Sequence, residues 1–124
     1  MLDHLGINVS DYDRSRDFYT RALAPLGYEL LIEPMAGICG FGKDHKPDFW
    51  IAGIRQPVTH NVHVALAAAD RPTVDAFHAA AVEAGGTDNG PPGLREIYHP
   101  SYYGAFVLDP DGNNIEAVCH RPPA

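Results

Sequence analysis

Leu5, Ile7 and Val9 alternate with His4, Gly6 and Asn8 at the start of the chain. This period of two predicts a β-strand with its large aliphatics on one face and small or polar groups on the other. Asp11 follows, and Phe18, Tyr19, Ala22, Leu23 and Leu26 then recur at helical spacing up to Gly27. Aspartate suits a helix N-cap, where its carboxylate accepts from free backbone amides, and glycine suits the stop. The same succession returns 59 residues after His4. His63-Val64-Ala65-Leu66 repeats the strand, with Val64 and Leu66 on one face and His63, Ala65 and Ala67 on the other. Asp70 repeats the cap and Val74, Phe77, Ala81 and Val82 the helical stripe. Pro72 is tolerated in a first turn, and Gly85-Gly86 ends the second helix.

Three shorter strands are expected after each helix. In the first half they fall near residues 28–33, 38–42 and 48–54, and in the second near 95–98, 102–108 and 114–119. Gly90-Pro91-Pro92-Gly93 reads as a loop, and Asp109-Pro110-Asp111-Gly112 as the turn between the last two strands. The organisation is strand-helix-strand-strand-strand, twice. It makes an α+β domain over residues 1–124, with one βαβββ module at about 1–56 and a second at about 60–121.

Length and composition set the class. A chain of 124 residues with 45% hydrophobic and 20% charged content suits one compact globular domain. The net charge of -7 argues against nucleic acid or an anionic membrane as a partner. No apolar run approaches the roughly 20 residues of a membrane span. Cys39 and Cys119 form no CxxC motif, and Asp3 and His4 stand where a leader's apolar run would begin, so a reduced, cytoplasmic setting is expected.

The segments LDHLGINVSD, DFYTRALAPLGY, HVALAAAD and DPDGNNIEAV together resemble the vicinal-oxygen-chelate superfamily. That group includes glyoxalase I, fosfomycin-resistance thiol transferases, methylmalonyl-CoA epimerase, extradiol dioxygenases and bleomycin-resistance proteins. The resemblance implies two βαβββ modules forming an open, barrel-like cup. It also implies a divalent metal (Mn, Fe, Ni, Zn or Mg) held by first-strand histidines and a last-strand carboxylate, which match His4, His63 and Glu116 here. Two imidazoles and one carboxylate leave positions open for a substrate that chelates through vicinal oxygens. Both histidines lie on small-residue strand faces, and Glu116 opposes the parity of Ile115 and Ala117. His45, His60, His78, His99 and His120 lack that repeat support.

Glyoxalase I carries a fourth ligand, also its catalytic base, on the last strand of the first module. Trp50 falls at that place to within a residue, so a typical lactoylglutathione lyase is not expected. Trp50, Asn8 and Tyr98 are candidates for the substrate pocket, and Tyr102 or Tyr103 for a catalytic hydrogen-bond donor. The resemblance thus implies a metal-dependent lyase, isomerase or thiol transferase acting on a small molecule. Its alternatives are an Fe(II) extradiol-type dioxygenase, or a metal-free drug-binding resistance protein whose acidic surface would suit a cationic drug. A homodimer is expected by the same resemblance, with a site built within one chain or across two.

Overall fold

The computed structural model describes residues 1–123. Its elements run β1 (Leu5–Asn8), α1 (Tyr12–Ala22), a 3-10 turn (Ala24–Leu26), β2 (Glu29–Met35), β3 (Ile38–Lys43) and β4 (Lys46–Ala52). There follow β5 (His63–Ala67), α2 (Arg71–Glu83), β6 (Thr87–Leu94), β7 (Tyr103–Leu108) and β8 (Asn114–Cys119). The strands form two four-stranded sheets, ordered β1-β4-β3-β2 and β5-β8-β7-β6, which do not close into a barrel. In each, the first strand runs parallel to the last strand of its own module and the rest pair antiparallel. The two βαβββ modules expected from the repeat are therefore the fold.

Local chemistry accounts for the helices. Asp11 accepts from the Arg14 amide at 3.1 Å and Asp70 from the Thr73 amide at 2.9 Å, each capping its helix. Pro25 converts the end of α1 into the 3-10 turn, which Gly27 closes at a φ of 84°. Phe18, Tyr19, Ala22, Leu23 and Leu26 are buried, as are Val74, Phe77 and Ala81; Val82 is exposed.

One core serves both modules. The helices pack on each other, and Phe18 of α1 reaches across to Gly86, at the end of α2, where an added Cβ would lie 2.8 Å from its ring. Ile7, Val9, Phe49 and Ile51 of the first sheet and Val64, Ala105, Val107 and Ile115 of the second line the same cluster. Each helix packs on the aliphatic face of its own sheet and on the other helix. The opposite sheet faces carry His4 and His63, whose side chains are more than half exposed.

A buried polar network latches the modules together. Asp109 is almost fully buried and accepts from the Tyr19 hydroxyl at 2.5 Å, from the amides of Asp111 and Asn113, and from the Asn113 side chain at 3.1 Å. Asn113 also donates to the Thr59 carbonyl and accepts from the Val62 amide, tying the β7–β8 turn to the segment between modules.

The structure corrects one strand. The second module's first antiparallel strand is Thr87–Leu94, so Gly90-Pro91-Pro92-Gly93 lies inside it, and residues 95–98 form a turn. β6 is an edge strand, where a proline forfeits no ladder bond on its open side. The pairing with β7 shifts register on either side of Gly90, absorbing the irregularity.

Candidate metal and ligand site

Strand pairing makes the two sheets directly comparable. In the second, Ala65, Glu116 and Phe106 stand in one row across β5, β8 and β7; in the first, Gly6, Trp50 and Gly40 form the matching row across β1, β4 and β3. Trp50 is therefore the topological counterpart of Glu116, and the first module offers an indole where the second offers a carboxylate.

Glu116 is 0% exposed. Its Oε1 lies 2.8 Å from His63 Nε2, and its Oε2 accepts from the Tyr102 hydroxyl. Burial, and then the bond to Glu116, pushes the Tyr102 phenol above its usual range, so at neutral pH this group is a donor. The His63 side chain is 53% exposed, so the pair is buried at one end and open at the other. Two cis ligands on a first-row ion would stand about 3 Å apart. The imidazole and carboxylate fit one edge of such a coordination shell.

His4 does not join this pair, and among the described residues no three histidine, cysteine or acidic side chains cluster closely enough to hold a metal. His4 Nδ1 bonds Asp3 Oδ1 at 2.7 Å, and Lys46 Nζ meets the same oxygen at 2.9 Å. The His4 bond, then Lys46, hold the Asp3 carboxyl below its ordinary value, so Asp3 accepts and Nδ1 carries the proton. With Nδ1 engaged by Asp3, Nε2 is the nitrogen left to bind an ion, the arrangement a carboxylate-oriented metal ligand uses.

The remaining candidates divide between the two faces. Asn8 and Trp50 line a cavity of about 560 Å³ on the outer face of the first sheet, together with His4, Met35, Ile38 and Arg55; His63, Glu116 and Tyr102 lie outside it. Asn8 also donates to the Pro57 carbonyl, so its amide is partly committed to the chain that follows β4. Tyr98 is 61% exposed and packs on Tyr102 with ring centroids 4.8 Å apart. Tyr103 sits apart from the site: by parity it faces α2, where it donates to Asp75 at 2.6 Å and lies under the Arg71 guanidinium. Burial pushes the Cys39 thiol up, the reverse of what a nucleophile needs.

Two features escaped the sequence. His99 and His120 meet at 2.8 Å beside Tyr102, although they are far apart in the chain. Arg55 lies just beyond β4, where its only signal was position after the tryptophan strand.

Among solved structures, the chain is similar to a glyoxalase/bleomycin resistance protein from Albidiferax ferrireducens T118. The two share 32% identity over 97% of this chain and 98% of that one, with a TM-score of 0.81. The chain belongs to the glyoxalase/bleomycin resistance protein family. The family lies within the vicinal-oxygen-chelate superfamily that the repeat suggested. A glyoxalase/bleomycin resistance protein/dioxygenase family enzyme from Burkholderia phytofirmans PsJN shares the fold at 18% identity, with a TM-score of 0.72 and coverage of 97% and 98%. Lactoylglutathione lyase from Agrobacterium tumefaciens does so at 15% identity, TM-score 0.68, and coverage of 96% and 92%. No family model matches the sequence, and no curated protein matches it. Among the described residues, this family member has no helix long and apolar enough to cross a membrane.

Proposed function

We propose that the protein is a metal-dependent enzyme of the lyase, isomerase or thiol-transferase type, acting on a small substrate through two vicinal oxygens. The reading rests on the pair His63 and Glu116, with a fully buried carboxylate held 2.8 Å from an imidazole on a face turned away from the core. A buried carboxylate costs stability unless something compensates it, and a surface-open imidazole is a modest partner. A divalent ion bound there would supply Lewis acidity to paired substrate oxygens. Tyr102 donates its hydroxyl proton to Glu116 Oε2 and so fixes the carboxylate's second oxygen.

The third ligand, His4, comes from a second copy in this reading. Within one chain His4 does not cluster with His63 and Glu116, so a complete set is reached when the first sheet of one subunit faces the second sheet of another. Exposed Ile32, Met35, Ile54, Ile97 and Tyr98 supply apolar surface for such a pairing. Trp50 in the counterpart position of Glu116 removes the fourth ligand and base that glyoxalase I carries, which disfavours lactoylglutathione lyase activity.

Mixed dimers test this. His4→Ala and Glu116→Ala homodimers should each lose the ion. A refolded mixture should regain one ion per mixed dimer, because one of its two sites then has all three ligands. No recovery in verified mixed dimers would reject the shared site. Stoichiometric ion in both single variants would reject the ligand set.

An Fe(II) extradiol-type dioxygenase has one observation in its favour, the His99–His120 pair beside Tyr102, which places imidazole bases near Glu116. Oxygen uptake on a catechol panel, with and without Fe(II), separates the two chemistries.

A further inference from the structure

We infer that the cavity on the first sheet selects an organic anion with a flat apolar body, stacked on Trp50 with its anionic group met by Arg55. The inference rests on the reading that this cavity is the ligand-binding half of the proposed site. Its floor is built for a flat surface. Trp50 is flanked in register by Gly6 and Gly40, and a Cβ added at Gly40 would lie 3.0 Å from three indole carbons. The ring therefore lies flat over a glycine, and any side chain at Gly40 would lift it. Trp50 is half-buried, and Met35 and Ile38 add apolar wall beside it. At about 560 Å³ the cavity is of a size that takes a small organic molecule.

Charge supplies the selectivity. The chain has 16 acidic residues against 9 lysines and arginines, yet the cavity lining contains His4 and Arg55 and no carboxylate. Asp3 stands behind His4, bonded to it and to Lys46, outside the lining. Arg55 makes no ion pair among the described residues, so its guanidinium is free to take a carboxylate in a bidentate contact. β1 runs parallel to β4, so His4 precedes one end of the paired segment and Arg55 follows the other. A ligand that offers oxygens near His4 would have its far end at Arg55. This polarity is the opposite of the cationic drug that the net charge alone suggested.

Trp50 is the chain's one tryptophan, so its emission reports this cavity specifically. The probes are 4-biphenylcarboxylate, the neutral 4-biphenylcarboxamide and 4-biphenylmethylammonium, titrated into protein stripped of metal and dialysed free of chelator. The carboxylate should bind at least about tenfold more tightly than the amide, the yield of one good charge-assisted contact at about 1.4 kcal/mol, with the cation weakest. Arg55→Gln should erase the carboxylate–amide difference while Arg55→Lys keeps part of it. Trp50→Leu, followed by calorimetry, should weaken all three probes. Equal binding of carboxylate and amide, or a preference that survives Arg55→Gln, would overturn the inference. Metal uptake by the same preparation is measured separately. Uptake without discrimination among the probes overturns this inference and leaves the metal reading standing, whereas discrimination without uptake supports it and sinks the metal reading.

Discussion

Glu116→Gln separates what the buried carboxyl does for the fold from what it does for a metal. The substitution keeps the side chain's shape. Glutamine's carbonyl can still accept from Tyr102, and its amide can donate to His63 Nε2, so both contacts of the wild-type group have a replacement. What is lost is a charge at a position that is 0% exposed, where removing an ion from water costs several kcal/mol before any partner compensates. Metal-free Glu116→Gln protein should therefore melt at the same temperature as metal-free wild type, or above it. The metal response should behave in the opposite way. An ion at 100 times its dissociation constant stabilises the native state by about 2.7 kcal/mol. For a chain of this size that raises Tm by roughly 8–13 °C, taking about 3–5 °C per kcal/mol. In Glu116→Gln the rise should shrink to less than about 2 °C, because an amide oxygen is a much poorer ligand for a hard cation than a carboxylate.

The assay is thermal unfolding followed by circular dichroism, with and without divalent ion, at one fixed protomer concentration so that any dimer dissociation is matched. A metal-free Tm more than about 5 °C below wild type would show that the charge of Glu116 supports the fold, and would refute the argument that it is kept for binding. A metal-induced rise that persists in Glu116→Gln would refute its role as a ligand.

Three other outcomes follow from the same structure. Tyr19→Phe should cost about 1.5–3 kcal/mol in urea unfolding, since it removes one hydrogen bond to the buried Asp109 carboxylate and leaves its other donors in place; a loss under 0.5 kcal/mol would mean that the latch between modules carries no weight. Ser15→Ala should stabilise by about 1 kcal/mol, because the Ser15 hydroxyl is buried on α1 without a hydrogen-bond partner and alanine is the better helix former; a destabilised variant would show that the hydroxyl has a partner. Alkaline pH should unfold the protein: burial, then Asp109, holds the Tyr19 phenol well above its ordinary value, and burial with the Asp48 bond pushes Tyr28 up to about 12. Both folded values lie above the unfolded value of about 10, so their contribution is complete below pH 10 and is lost as pH rises through the folded values, at about 1.4 kcal/mol per pH unit for each phenol kept neutral. A urea midpoint that stays flat from pH 9 to 11.5 would contradict this.

The repeat was legible because both modules solve one problem with one pattern. Each strand hides aliphatics against the shared helical layer and keeps small residues on its other face, so His4 and His63 announce themselves by position. Parity likewise separated Glu116 from Ile115 and Ala117. β6 was illegible for a physical reason: prolines and glycines signal a loop where the backbone needs both ladder partners, and an edge strand needs only one. His99 and His120 escaped because no periodicity links a turn to a strand end; only the antiparallel return of β7 and β8 brings them to 2.8 Å.

The separation of His4 from the His63–Glu116 pair was the least legible feature. Periodicity states which face of a strand is apolar, but not whether two such faces share a core back to back or each cover a separate one. Here α1 and α2 pack together on one shared core, and Phe18 and Val107 both approach Gly86 of the second module. The two histidines lie on the sheet faces opposite that core. The repeat is also asymmetric in chemistry. In the proposed shared site, with one sheet from each of two chains, the sheets need not duplicate each other's groups. One carries the carboxylate at Glu116, and the other, at the matching row position, carries an indole laid over Gly40. The carboxylate proposed to bind metal and the indole proposed as stacking platform thus occupy the same strand position, one in each half.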